Sequence, residues 1–262
     1  RISSTEPNLQ NIPVRSPLGR EMRKFFVARD GYVLVDADYS QIELRVLAHI
    51  SGDRNMIKAF NDNTDIHTVT ASEVFDMPPQ LVTPIMRSRA KAVNFGIVYG
   101  IGAFSLAKDI GVSRSEADEY IKGYLRHYSG VDKYMHDVVE KAKKDGYAET
   151  MFARRRYLPE LTASNANTRA FGERVARNMP IQGTAADIIK IAMIRVYERL
   201  ERENLAAKLI MQVHDELIVE APENEKERVS ALLKEEMENA VKLSVALTAD
   251  VHSGRTWYDA KG

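Results

Sequence analysis

Residues 35–45 read VDADYSQIELR, and residues 211–219 read MQVHDELIV. Each segment opens with an apolar run that is typical of a β-strand, and each places acidic side chains where that run ends. A carboxylate at a strand end is held by rigid backbone, and Mg²⁺ binds a few protein oxygens together with water and substrate phosphates. Because two such strands lying side by side could hold two ions, the pattern predicts one shared metal site built on Asp38 and Asp215.

The composition allows one large or two modest domains with a packed core and excludes disorder, since 44% of the 262 residues are hydrophobic and 28% are charged. Without cysteine, the chain has no disulfide, zinc–thiolate site or cysteine nucleophile, which is compatible with a reducing cytoplasm. No apolar run reaches about 18 residues and no signal peptide opens the chain, so no membrane association is predicted. Because the chain begins at Arg1, we expect a piece of a longer protein.

Charge is balanced overall, with 37 basic and 37 acidic residues, but it is distributed unevenly. Residues 1–30 and 141–180 are mainly basic, the second segment including Arg154, Arg155 and Arg156, whereas residues 201–240 are mainly acidic. The basic segments predict a surface that follows a phosphate backbone, and the acidic segment is typical of a solvated helix face. Solubility alone would also explain any one of these runs.

Hydrophobic periodicity and breakers predict few strands and many helices. Strands are expected at 32–38, 208–213 and 217–220, the last two forming a hairpin. Helices are expected at 40–50, 84–99, 103–108, 114–128, 131–145, 169–182, 184–204 and 224–240, with short helices over 53–82 and with Pro180 separating two of the long ones. One early strand and a late hairpin around a helical block indicate an α+β fold in which that block is inserted into a sheet domain.

The helix predicted at 84–99 has two different faces, and Thr83-Pro84 is a typical helix start. One stripe is apolar and is expected to pack against neighbouring elements: Met86, Ala90, Val93 and Ile97. The other places two cations before two aromatic rings: Arg87, Lys91, Phe95 and Tyr99. That order suits a nucleoside triphosphate, with phosphates near the helix start and sugar and base beyond. The alternative is a helix with a basic edge and two core aromatics.

The acids also have simpler explanations. Asp38 could be a helix N-cap, and Asp215-Glu216 could be an ordinary polar hairpin turn. A set of motifs argues against these readings. Residues 38–45 (DYSQIELR), Arg87 with 91–100 (KAVNFGIVYG), and 213–216 (VHDE) resemble, in order, the three signature motifs of family A DNA polymerases, the bacterial DNA polymerase I group. The resemblance runs from 1–13 (RISSTEPNLQNIP) to 254–261 (GRTWYDAK) and so covers essentially the whole chain.

The resemblance implies an antiparallel palm sheet with flanking helices and an inserted helical fingers subdomain. The palm would comprise residues 1–52 and 165–262, the latter carrying the catalytic hairpin, and the fingers residues 53–164. The family's thumb and exonuclease domains are expected to be absent. Relatives often have glycine where this chain has Ala153.

The implied activity is template-directed DNA synthesis by a DNA-directed DNA polymerase, weak or absent in an isolated fragment. Nucleotidyl transfer from a deoxynucleoside triphosphate to a primer 3′-hydroxyl would use two Mg²⁺ ions, with Mn²⁺ able to substitute. Asp38, Asp215 and the Tyr39 carbonyl are the implied metal ligands, with Glu216 a nearby acid and Lys91 the proton donor to pyrophosphate. The implied partners are primer–template DNA and deoxynucleoside triphosphates, and the protein would be a monomer in the bacterial cytoplasm, associated with the nucleoid.

Further roles follow from the same motifs. Glu43 would exclude a ribonucleotide 2′-hydroxyl, Phe95 would pack on the incoming sugar, and Tyr99 would occupy the template site. The full implied nucleotide-binding set is Gln41, Glu43, His67, Arg87, Lys91, Phe95 and Tyr99. The implied DNA-binding set is Arg1, Arg15, Arg174, Asn178, Gln182 and His214, several of them reading the minor groove, where acceptors recur on every correct pair.

Two other classes compete with this interpretation. Residues 105–116 (SLAKDIGVSRSE) mimic a helix-turn-helix, but the acids that follow would face DNA phosphates. A metal phosphohydrolase built on His214-Asp215 would draw further ligands from the other histidines: His49, His67, His127, His136 and His252. A P-loop is excluded at 96–102, because no Gly-Lys-Ser/Thr follows.

Overall fold

The computed structural model describes residues 5–6, 8–12 and 17–261 and has the predicted α+β class. The chain divides into two compact units. The sheet unit comprises residues 1–42, 185–242 and 247–262, and the helical unit comprises residues 43–184 and 243–246. In sequence, the helical unit is thus inserted into the sheet unit. The palm and fingers boundaries inferred from the motifs stay a prediction.

Six strands are present in the described part of the chain: β1 (Tyr32–Tyr39), β2 (Tyr147–Glu149), β3 (Arg155–Tyr157), β4 (Lys208–Val213), β5 (Glu216–Pro222) and β6 (Ala249–Gly254). The helices are α1 (Pro17–Glu21), α2 (Ile42–Ser51), α3 (Arg54–Asn61), α4 (Ile66–Val74), α5 (Pro84–Val98), α6 (Ala103–Ile110), α7 (Arg114–His127), α8 (Ser129–Asp145), α9 (Ala166–Arg202), α10 (Lys226–Glu238) and α11 (Trp257–Ala260). Short 3₁₀ turns connect several of them.

The sheet unit is built on an antiparallel sheet with the order β4-β5-β1-β6. The central strand β1 reads YVLVDADY and is mostly buried, as expected for a strand paired on both edges. Its register places Asp38 opposite Glu216 on one side and opposite Asp250 on the other. Trp257, fully buried, packs with Ala28, Leu34, Val213, Ile218 and Ala260 in a core cluster of this unit.

Helix α5 belongs to the helical unit and begins where the sequence predicted. The Thr83 side chain accepts a hydrogen bond from the Met86 amide, and Pro84 occupies the first turn. Ala90, Val93 and Ile97 are buried, so the apolar stripe is confirmed as the packing face. Helix α4 packs against α5. A separate core cluster of this unit joins α8, the β2–β3 hairpin and α9: Val139, Ala142, Ala148, Leu158, Leu161 and Ala176.

Two expectations about the elements were wrong. Pro180 does not separate two helices, because it lies inside α9, a single helix of 37 residues. A proline removes one intrahelical hydrogen bond at a cost of about 3 kcal/mol, and buried neighbours such as Ile181 and Ile188 outweigh that cost. The sequence reading also missed β2, β3 and β6. Strand β6 alternates buried or half-buried positions with exposed Asp250 and His252, as an edge strand does.

Candidate functional site

Pairing of β1 with β5 brings the predicted catalytic acids of the sheet unit together. Asp38 lies opposite Glu216, and the Tyr39 amide donates a hydrogen bond to the Asp215 carbonyl over 3.1 Å. His214 and Asp215 form the tight turn of the β4–β5 hairpin, where His214 has a positive φ of 53°. The hairpin turn therefore sets the start of β5 beside the end of β1. The strand that ends at the acids, β4, is separated from β1 by β5, so the two strand-like runs are not direct neighbours.

A buried polar network lies next to these acids. The Trp257 Nε1–H donates to Glu216 Oε1 at 2.5 Å and lies 3.2 Å from Asp36 Oδ2. The Lys261 ammonium donates to Asp38 Oδ2 at 2.8 Å and to Glu216 Oε2 at 2.5 Å. We call Asp36, Asp38 and Glu216 the carboxylate cluster. Asp36 and Glu216 are only 2% and 4% exposed, whereas the Asp38 side chain is 38% exposed, so the cluster is buried at Asp36 and Glu216 and partly solvated at Asp38.

Electrostatics within the cluster follow from burial and crowding. Burial raises the pKa of Asp36, and the neighbouring Glu216 carboxylate raises it further. Burial likewise raises the pKa of Asp38, although Lys261 opposes the shift. Burial alone would lower the pKa of Lys261, but the carboxylates of Glu216, Asp36 and Asp38 outweigh it and raise that pKa, which keeps the ammonium charged. One cation thus offsets part of a crowded negative charge.

The donor set suits a hard divalent cation. Asp38 Oδ1 is buried and has no hydrogen-bond partner among the described residues, so it is available as a ligand. The carboxylates of Asp38 and Asp215 and the Tyr39 carbonyl are all oxygen donors, which Mg²⁺ prefers. In the described ranges no group of three or more His, Asp or Glu side chains is arranged to hold a metal by itself. The fit is therefore to an ion that takes its remaining ligands from substrate phosphates and water.

The predicted nucleotide-binding face lies on α5, in the helical unit. Arg87, Lys91 and Tyr99 are exposed and Phe95 is half-buried, on a different side from the packed stripe. The rings of Phe95 and Tyr99 are stacked, with centroids 6.5 Å apart and planes 18° from parallel. Arg87 is ion-paired with Asp65, which caps the start of α4. The structure thus presents two cations and two rings in the order that the sequence predicted.

Glu43 and His67 lie beside this face in the same unit. Glu43, in the first turn of α2, is 6% exposed, and its Oε2 accepts a hydrogen bond from the Tyr99 hydroxyl at 3.0 Å. His67 is 2% exposed, and its ring lies 6.0 Å from the Phe95 ring. Asn94 Nδ2 lies 3.1 Å from His67 Nδ1; since an amide nitrogen only donates, the ring proton lies on Nε2. Burial lowers the pKa of His67 to about 4, so the ring is neutral near pH 7.

The predicted DNA-binding residues are placed less uniformly. Arg174, Asn178 and Gln182 recur every fourth residue along α9 and share one face. Asn178 Nδ2 donates to the Val98 carbonyl at 3.0 Å, satisfying one of the open carbonyls at the end of α5. His214 is exposed on the hairpin turn of the sheet unit.

The remaining predicted residues are Gln41, the arginines of residues 154–156, Arg1 and Arg15. Gln41 precedes α2 and has a positive φ of 56°. The arginines of residues 154–156 are exposed on the β2–β3 hairpin. Arg1 and Arg15 lie outside the described residues.

The compact units separate the predicted residues into two groups. Asp38, Tyr39, Gln41, His214, Asp215 and Glu216 belong to the sheet unit. Glu43, His67, Arg87, Lys91, Phe95, Tyr99, Arg174, Asn178 and Gln182 belong to the helical unit. The roles assigned to these residues stay predictions.

The sequence reading gave no role to three residues that surround the acids: Asp36, Trp257 and Lys261. Trp257 and Lys261 lie only four residues apart near the end of the chain, but this spacing alone does not indicate that either side chain contacts the acids. Asp36 was visible as a second acid on the same side of β1 as Asp38, since strand side chains alternate.

The competing classes gain no geometric support. Helices α6 and α7 form a helix-turn-helix with Gly111 in the left-handed region, but Glu116 and Glu119 are exposed near the start of α7. His49, His127 and His136 contact Ser244, Glu73 and Asp132 respectively, and none forms a metal-holding group with Asp215 within the described ranges. None of the described helices, including the 37-residue α9, combines the length and apolarity that a bilayer span requires.

Comparison with known proteins gives consistent matches. The model of DNA polymerase family A matches residues 1–259. The chain is 55% identical to DNA polymerase I of Bacillus caldotenax over 262 residues and 53% identical to that of Caldicellulosiruptor bescii over 261, covering 100% of this chain each time. It spans only 30% and 31% of those relatives' lengths. The polymerase domain of Pol1 from M. smegmatis, solved in complex with DNA primer–template and dNTP, superposes with a TM-score of 0.95 at 47% identity, over 100% of this chain and 46% of that one.

Proposed function

The chain belongs to DNA polymerase family A, and from that premise we propose that it carries the nucleotidyl-transfer site of a DNA-directed DNA polymerase. The reaction joins a deoxynucleoside triphosphate to a primer 3′-hydroxyl under the direction of a template. The observation that carries this proposal is the pairing of β1 with β5, which sets Asp38 beside the Asp215 turn. A solved relative described with both primer–template and dNTP supports the substrates.

Asp38, Asp215 and the Tyr39 carbonyl would hold two divalent ions, Mg²⁺ or, in its place, Mn²⁺. When bound, such ions lower the pKa of the attacking hydroxyl and neutralise charge on the leaving pyrophosphate. The chain's own contribution is to fix the carboxylates on paired strand ends and to keep Asp38 Oδ1 clear of competing donors from the described residues. Glu216 supports the site from a buried position rather than from the solvent-facing side.

The exposed face of α5 would bind the nucleotide. Arg87 and Lys91 would contact the triphosphate, and Lys91 would protonate the leaving pyrophosphate. Phe95 would pack on the sugar, and Glu43 would exclude a ribose 2′-hydroxyl. His67, neutral with its proton on Nε2, would donate a hydrogen bond rather than supply a charge. Gln41 and Tyr99 would also contact the nucleotide.

Primer–template DNA would contact Arg174, Asn178, Gln182 and His214, together with Arg1, Arg15 and the arginines of residues 154–156. Several of the first set would read minor-groove acceptors that recur on every correct pair, and Arg15 and the arginines of residues 154–156 would contact the backbone. Neither kind of contact selects a sequence, which suits a copying enzyme. The proposal extends to a monomer acting at the bacterial nucleoid in the cytoplasm.

Primer extension with purified protein tests the function directly. Asp38→Asn or Asp215→Asn should reduce incorporation to under about 1% of the unmodified protein, because removing a metal-bound carboxylate costs several kcal/mol of transition-state stabilisation. Primer–template affinity, measured by fluorescence anisotropy, should stay the same. Asp137→Asn, which changes an exposed acid on α8, is the matched control. Substantial incorporation by either active-site variant would contradict the metal assignment.

A further inference from the structure

Lys261 contacts the carboxylate proposed to bind metal. Its ammonium lies 2.8 Å from Asp38 Oδ2 and 2.5 Å from Glu216 Oε2, and all three residues belong to the sheet unit. The Lys261 side chain is 27% exposed, so its charge is partly shielded from water. A cation held this way interacts more strongly with its partners than a surface lysine does.

Both carboxylate oxygens of Glu216 accept a hydrogen bond. Trp257 Nε1–H donates to Oε1, and Lys261 donates to Oε2, around a side chain that is 6% exposed. The Glu216 carboxylate therefore anchors Lys261 beside Asp38.

The two oxygens of Asp38 differ as a result. Oδ1 is buried without a hydrogen-bond partner in the described part of the chain, whereas Oδ2 accepts from Lys261. A divalent ion on Oδ1 would share one carboxylate with a positively charged ammonium. Like charges on a common ligand repel, so the Lys261 ammonium opposes binding of the ion.

We propose that Lys261, anchored by Glu216 and through it by Trp257, is a positioning residue that competes with divalent cations for Asp38. It weakens metal binding in the absence of nucleotide. A bound triphosphate supplies several more negative oxygens, which offset the Lys261 charge and complete the coordination that a hard cation requires. The inference rests on the proposed function, specifically on Asp38 as a metal ligand.

Titration with Mn²⁺ alone tests this role without measuring catalysis. Free Mn²⁺ is followed by electron paramagnetic resonance in the full chain, without DNA or nucleotide. Lys261→Met keeps the length of the side chain and removes its charge, so it should tighten Mn²⁺ binding about tenfold or more, equivalent to about 1.4 kcal/mol. Lys261→Arg keeps the charge, and Lys234→Met removes an exposed lysine on α10; both should stay within about twofold of the unmodified protein.

Unchanged or weaker Mn²⁺ binding by Lys261→Met would overturn the inference, and so would equal tightening by Lys261→Arg. Asp38→Asn in the same titration separates this failure from failure of the proposed function. If Asp38→Asn leaves Mn²⁺ affinity unaltered, the metal assignment itself is overturned and the Lys261 role with it. Trp257 fluorescence monitors folding of each variant, and Lys261→Gln repeats the test should the methionine variant lose the buried emission.

Discussion

His67 is a buried histidine of the helical unit, and the fold favours the neutral form of its ring. Its pKa is lowered from about 6.5 to about 4, mainly by burial; Asp65 opposes this shift, and Arg87 and Lys91 add to it. Between these two pH values the unfolded chain binds more protons than the folded one, so stability rises with pH. The contribution of His67 to the free energy of unfolding is fully present above about pH 6.5 and is lost as the pH falls toward 4.

We therefore expect His67→Gln to weaken the pH dependence of the free energy of unfolding. The unmodified protein should lose on the order of 3 kcal/mol through this group across that window, following from about 1.4 kcal/mol per pKa unit. Urea unfolding at about pH 4.5 and about pH 7.5 measures the difference. His136→Gln, at an exposed position on α8, is the control. An equally steep loss in His67→Gln would mean that other groups produce the acid sensitivity.

Ala153 carries the strain that glycine would avoid. It sits in the turn between β2 and β3 with φ of 60°, where its amide donates to the Thr150 carbonyl at 3.0 Å. A left-handed conformation costs an L-residue about 1 kcal/mol, and glycine adopts it freely. We expect Ala153→Gly to raise the free energy of unfolding by about 0.5 kcal/mol after the added freedom of the unfolded chain is subtracted.

Thermal unfolding of Ala153→Gly should accordingly show a small rise in midpoint. Ala163→Gly is the matched control, because Ala163 has φ of −63° in an extended conformation. At that position glycine gains nothing in the folded state and only loosens the unfolded chain, so its midpoint should fall. A fall at both positions would show that the turn imposes no strain on Ala153.

A hydrogen bond between the end of α5 and the start of α2 bears on sugar selection. The Tyr99 hydroxyl at the end of α5 donates to Glu43 Oε2 at the start of α2. If Glu43 excludes the 2′-hydroxyl, Glu43→Ala should raise ribonucleotide use strongly. Tyr99→Phe, which removes one donor worth about 1 kcal/mol, should raise it about fivefold.

Single-nucleotide incorporation measures this effect as the ratio of kcat/KM for ribo- and deoxyribonucleotides. Tyr197→Phe, an exposed tyrosine on α9, controls for loss of a phenolic hydroxyl elsewhere. Unchanged sugar selectivity in Glu43→Ala would contradict the proposal that Glu43 excludes the 2′-hydroxyl. Selectivity that changes with Glu43→Ala but not with Tyr99→Phe would assign the discrimination to the carboxylate alone.

Local chemistry explains which elements could be predicted from sequence. The start of α5 follows from Thr83-Pro84, and its buried face follows from the spacing of Ala90, Val93 and Ile97, all read within a few residues of chain. Strand β6 has no such signal, because its partner in the sheet lies more than 200 residues earlier. The continuity of α9 through Pro180 depends on tertiary burial that a local rule does not contain.

The same distinction applies to the candidate site. Asp38 and Asp215 are recognisable because each ends a strand-like run, and family motifs surround them. The contacts of Lys261 with Asp38 and of Trp257 with Glu216 span 223 and 41 residues of chain, and neither follows from spacing or periodicity. A buried counter-charge is a property of the folded sheet unit as a whole.

Helix α9 runs across the division between the two compact units at residues 184 and 185. Because helix propagation is cooperative, we expect unfolding of one unit to disturb the other. Trp257, the chain's single tryptophan, is buried in the sheet unit and reports on it selectively.

Ala176 is buried in the core of the helical unit. Ala176→Gly should cost at least about 1 kcal/mol and lower the unfolding midpoint by about 2–4 °C.

Thermal unfolding followed by both far-ultraviolet circular dichroism and Trp257 fluorescence tests the coupling. Ala176→Gly should shift both midpoints by the same amount, as one cooperative transition requires. Ala170→Gly, at an exposed position near the start of α9 where the helix end frays, should shift both less. A circular-dichroism midpoint that falls while the Trp257 midpoint stays fixed would mean that the sheet unit, with its carboxylate cluster, folds independently of the helical unit.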